Sequence, residues 1–147
     1  MTSYYAFSEN FTEVAAHALG DARFKDVIIV LSDDPMESRY LLHKVVLAAN
    51  STFFRTLFRT EQKDVYMIGS LTKKGFEALI GYFYTQTLTI TPKNFDEIKE
   101  TANYLGSAVE EKMENLGHVV KYSLATVQLK GMETIYIPWI MATMEMD

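Results

Sequence analysis

HKVVLAANSTFFRTLF, residues 43–58, puts a histidine-lysine pair, an apolar helical run and two adjacent phenylalanines in one block. The run is broken at Asn50-Ser51, where two capping-type side chains stand together, so two short helices are expected, Lys44–Asn50 and Thr52–Thr60. His43 stands where a strand closes and a helix opens, a position at which an imidazole can satisfy a main-chain group.

Working outward toward the N-terminus, Asp26–Leu31 is short, β-branched and apolar, which is the composition of a buried strand. Asp33-Asp34-Pro35 turns the chain back into a second strand over Arg39–Leu42, giving a hairpin. Before it, Phe11, Val14, Ala15, Ala18 and Leu19 follow the spacing of a single helical stripe, capped by Asn10 with Glu13 and ended by Gly20-Asp21. Working toward the C-terminus, Asp64–Ile68 reads as a third strand. Thr72 opens a helix whose stripe is Phe76, Leu79, Ile80, Phe83 and Tyr84, and Leu88–Ile90 is a short strand. Asn94 with Glu97 is expected to cap a helix carrying Phe95, Ile98, Ala102 and Leu105. Ser107 with Glu110 opens a last one through Val109, Met113, Leu116 and Val120, interrupted at Gly117. The order of elements predicts an α+β fold, a cluster of α-helices flanked by a short β-sheet.

Composition narrows the function classes. At 147 residues and 48% hydrophobic content the chain suits one domain with a real core, and a net charge of −5 argues against direct contact with nucleic acid. Cysteine is absent, which removes disulfides, thiolate chemistry and the common zinc sites. The segment Met1–Asn10 is polar and aromatic, unlike a signal peptide, and the apolar runs Val27–Leu31 and Ile135–Met141 fall short of the roughly 20 residues that span a bilayer. A cytoplasmic or nuclear protein with no membrane partner is expected.

Catalytic chemistry is poorly provided for. Of the histidines, His17, His43 and His118, neither His17 nor His118 has a ligand-type partner one helical turn away, and no nucleophile elbow, phosphate loop or dinucleotide fingerprint occurs. Asp33, Asp34 and Glu37 lack the glycine and terminal glutamate of a calcium loop and read as a solvated turn. The expectation is a non-enzyme without metal or cofactor.

Four blocks carry a family resemblance: RFKDVIIVL at 23–31, LLHKVVLAANSTFFRTLF at 41–58, FEALIGYFYTQTLTIT at 76–91 and NFDEIKETANYLG at 94–106. In this order and spacing they resemble the BTB/POZ family, which implies a protein-interaction module over residues 8–127. The helix ahead of the first block resembles the dimer-forming helix of the kelch-associated and transcription-factor subgroups. On that likeness Phe11, Val14, Ala15, Ala18 and Leu19 would form a homodimer interface, the alternative being a stripe packed on its own core. The resemblance also implies a charged pair, Asp26 with Lys44.

Many members serve as adaptors to a cullin-based ubiquitin ligase, and that role in ubiquitination is the leading expectation here. Phe54, Leu57, Phe58, Glu61 and Tyr104 are the candidate cullin-binding residues, with Phe54 and Leu57 also readable as core. The chain departs from the adaptor pattern after Phe58, because Glu61 stands three places on and the loop is short. The alternative is a transcriptional or scaffolding dimer that binds co-regulator peptides without cullin.

Residues 128–147 form an apolar C-terminal extension. Pro138 prevents a continuous helix or central strand there. Three readings stay open: a strand that closes on a sheet edge or exchanges between protomers, a partner anchor centred on Trp139, and a cover over the chain's own domain.

Overall fold

The computed structural model describes residues 24–123, 126–130 and 133–137. Strand β1 (Val27–Leu31) pairs antiparallel with β2 (Arg39–Leu42) and parallel with β3 (Val65–Ile68), giving a sheet of order β2-β1-β3. The hairpin forms as expected. Its turn is tied by Asp34, whose carboxylate accepts from the Ser38 N–H at 3.0 Å and from the Ser38 hydroxyl. Those two bonds hold the Asp34 carboxyl below its usual range.

Helices α1 (Lys44–Asn50) and α2 (Thr52–Thr60) follow, hinged at Ser51. The Ser51 hydroxyl accepts from the Phe54 N–H at 3.2 Å, capping α2, and donates to the Leu105 carbonyl at 2.5 Å. One buried side chain thereby starts one helix and fastens it to the end of another. Helix α3 (Lys73–Thr85), capped by Thr72, runs into strand β4 (Thr87–Ile90). Helix α4 (Phe95–Leu105) ends at Gly106, whose φ of 63° lies in the left-handed region that glycine enters without strain.

Helix α5 (Val109–Ser123) corrects the expectation of a break at Gly117, because the helix runs straight through it. A Cβ there would stand 3.1 Å from the Phe95 ring, so glycine serves close packing of α4 on α5. Asn94 is also corrected: its side chain does not cap α4 but accepts from the Thr91 N–H at 2.8 Å and donates to the Thr89 carbonyl at 3.2 Å.

The C-terminal region supplies strands β5 (Thr126–Lys130) and β6 (Glu133–Ile137), which complete a second antiparallel sheet, β4-β5-β6. The domain boundary expected between 127 and 128 falls inside β5, where Val127 and Leu129 are both buried. A single hydrophobic cluster joins both sheets to the helices, with Tyr84, Phe54, Phe76 and Phe83 its largest fully buried side chains.

Candidate protein-interaction site

His43 ends β2 and begins α1, yet its ring does not cap the helix. Its Nδ1 stands 2.7 Å from the Tyr84 hydroxyl, and its main-chain N–H donates to the same hydroxyl at 3.0 Å. Burial pushes the Tyr84 hydroxyl up to about 12, so it keeps its proton. The pair is a buried fastening between α1 and α3.

Asp26 and Lys44 meet in a different way from the charged pair implied by the family. The Asp26 carboxylate accepts from the Lys44 main-chain N–H at 2.8 Å, an anion at the first turn of α1 where the helix dipole favours it. The Lys44 ammonium lies instead 5.7 Å from the Phe58 ring centroid and 5.9 Å from that of Tyr66.

The candidate partner-binding residues divide. Phe54 is fully buried in the core and is removed from the set, and Phe58 packs on Phe54, Tyr66 and the Lys44 head. Leu57, Glu61 and Tyr104 come together along one groove of about 520 Å³, with Phe53 and Lys63 beside them and the run Val65–Gly69 as the opposite wall. Phe53 and Tyr104 pack ring to ring at 5.0 Å, joining α2 to α4. The Tyr66 hydroxyl donates to the Glu61 carbonyl at 2.5 Å and accepts from the Lys63 N–H at 3.1 Å, which fixes the loop at one end of the groove.

Val65 and Met67 are 41% and 64% exposed. Sequence reasoning missed them as surface groups. Their signal was available, since residues two apart in a strand share a face, and Tyr66 and Ile68 take the buried one.

The stripe residues Phe11, Val14, Ala15, Ala18 and Leu19, and Trp139, lie outside the described residues. Among the described residues, Phe24 and Val45 are each 69% exposed. Phe24 stands two residues before Asp26, and Val45 one after the Lys44 whose main-chain N–H Asp26 holds. Among the described residues no group of three His, Cys, Asp or Glu is placed to hold a metal, and no helix is long and apolar enough to cross a membrane.

Comparison with known proteins gives a consistent result. Residues 17–116 match the family model described as the BTB/POZ domain. Zinc finger and BTB domain-containing protein 44 of mouse is 37% identical over 89 residues, which are 58% of this chain and 19% of that protein. Human transcription regulator protein BACH1 is 31% identical over 91 residues, 60% of this chain and 12% of the relative. The chain therefore spans less than a fifth of the length of these relatives. The solved BTB domain of zebrafish PATZ1 superposes with a TM-score of 0.65 at 23% identity, covering 84% of this chain and 98% of that one.

Proposed function

The chain belongs to the BTB/POZ family of protein-interaction modules, and from that premise we propose that it is the self-associating domain of a nuclear transcription regulator. The relatives' names support this reading over a ligase adaptor, since they are transcription regulators and zinc-finger proteins with a BTB domain. Any zinc finger would lie outside these residues, because the chain has no cysteine.

What supports self-association is Val45, a large apolar side chain left 69% exposed, together with the apolar stripe that the sequence carries at Phe11, Val14, Ala15, Ala18 and Leu19. A second copy related by a two-fold axis would cover both with the same patch of its own surface. Light scattering on the full chain is expected to give a dimer mass and on Val45→Glu a monomer mass. A monomeric parent protein sinks the proposal.

One observation favours a second reading. Leu57, Glu61 and Tyr104 share a groove, which is the arrangement an adaptor to a cullin would need. In a pull-down with a cullin N-terminal domain, that reading expects capture by the parent protein and loss in Tyr104→Ala. Absence of capture by the parent leaves the transcriptional reading alone.

A further inference from the structure

One wall of the groove beside Tyr104 is an open strand edge, and this determines what can fill it. In the parallel pair of β1 and β3, the Ile28 N–H donates to the Asp64 carbonyl at 2.8 Å and the Ser32 N–H to the Ile68 carbonyl at 3.0 Å. A parallel ladder takes the bonding groups of alternate residues, so the even positions of β3 face β1 and the main-chain groups of Val65 and Met67 face the other way. β3 is the last strand on this side of its sheet among the described residues. Those outward groups therefore border the groove, whose far wall is Phe53 and Leu57 of α2 with Tyr104 of α4.

We propose that this groove takes an extended segment of a partner protein as an added strand on β3. The added strand would exchange main-chain hydrogen bonds with Val65 and Met67. Its side chains, alternating in direction, would send every second residue toward the aromatic wall. That wall is apolar, so those residues are apolar. The others would extend the outer face of the sheet, where Leu41, Ile28 and Val65 already stand in one cross-strand row. Only Glu61 and Lys63 bring charge to the groove, and they face each other at 3.6 Å. The centre of the bound segment is accordingly uncharged.

The apolar wall selects a peptide over a second copy of this chain. In a second copy the Tyr66 and Ile68 side chains of β3 are already buried in that copy's own core and cannot enter the groove. An isolated strand brings alternate side chains that are free to do so. The inference rests on the interaction-module reading but not on self-association. A dimer that binds no strand overturns only the inference, and a monomer that binds one overturns only the dimer.

The probe is a random linear peptide library displayed on phage and selected against the full chain. Selected peptides are expected to carry apolar residues at alternate positions. Amide exchange followed by NMR should show the Val65 and Met67 amides slowed when peptide binds. N-methylation of alternate peptide amides, on the edge facing β3, should weaken binding about tenfold by removing main-chain bonds. Met67→Lys, at an exposed position that leaves the core intact, should weaken it as well. A library that yields no binder overturns the proposal, and so do binders that leave the Val65 and Met67 amides unchanged or that tolerate N-methylation on both edges.

Discussion

At the scale of single residues, the buried hydroxyl of Tyr84 governs the junction of α1 with α3, because it accepts the His43 N–H and shares a second hydrogen bond with the His43 Nδ1. Tyr84→Phe removes both bonds and keeps the ring, so it is expected to cost about 1–3 kcal/mol in urea unfolding. The pH dependence follows from the direction of the shift. Burial is the main cause that raises the Tyr84 hydroxyl from an ordinary 10.0 to about 12, with the Asp26 charge adding and the His43 N–H opposing. A group whose folded value lies above its unfolded one contributes stability that is complete below pH 10 and is lost as pH rises through about 12. Tyr40 moves the same way, to about 12, through burial and its bond to Glu77. Alkaline unfolding followed by circular dichroism should therefore show stability falling across that window, and less steeply in Tyr84→Phe. An unchanged alkaline limb in the variant would remove Tyr84 as the cause.

Elements were legible in the sequence wherever a stripe was long or a turn carried its own chemistry. The run Phe76, Leu79, Ile80, Phe83 and Tyr84 is the buried face of α3, and Asp33-Asp34-Pro35 closes the first hairpin. What escaped reading depended on contacts between elements. Gly117 looks like a helix breaker until the Phe95 ring of a neighbouring helix explains it, and β5 and β6 acquire their place only when β5 pairs with β4 and β6 with β5. The groove was half legible: Leu57, Glu61 and Tyr104 were found, whereas Val65 and Met67 acquire meaning only once β3 proves to be an edge strand. Two glycines of α3 separate these kinds of information. A Cβ at Gly75 would collide with the Thr101 hydroxyl on α4, while one at Gly81 meets nothing within 4 Å. Gly81→Ala is thus expected to stabilise by about 0.5–1 kcal/mol through helix propensity, and Gly75→Ala to destabilise despite the same propensity gain. Thermal melts of the two variants should move in opposite directions.

At the scale of the whole molecule, the family match ends at residue 116 while the folded chain continues. Strand β5 sets Leu129 opposite Leu88 and Val127 opposite Ile90, and all four side chains are buried. The second sheet is therefore part of the core cluster, which also contains Phe83 and Val120. β6 in turn pairs along the whole length of β5. Removing residues 124–147 would withdraw Val127 and Leu129 from the core, at about 1.5–3 kcal/mol for each, and would uncover Leu88 and Ile90 as well. Because small domains are stable by only about 5–15 kcal/mol, that loss is a large share of the total. The truncated chain is expected to unfold at clearly lower urea concentration than the full chain and with a smaller m-value, since less surface is buried at the start. Its β3 groove lies on a different sheet, formed by residues 53–69 and Tyr104, and should keep its peptide-binding edge under conditions where the truncated chain stays folded. An unchanged urea midpoint would mean that the C-terminal hairpin lies on the domain without holding it together.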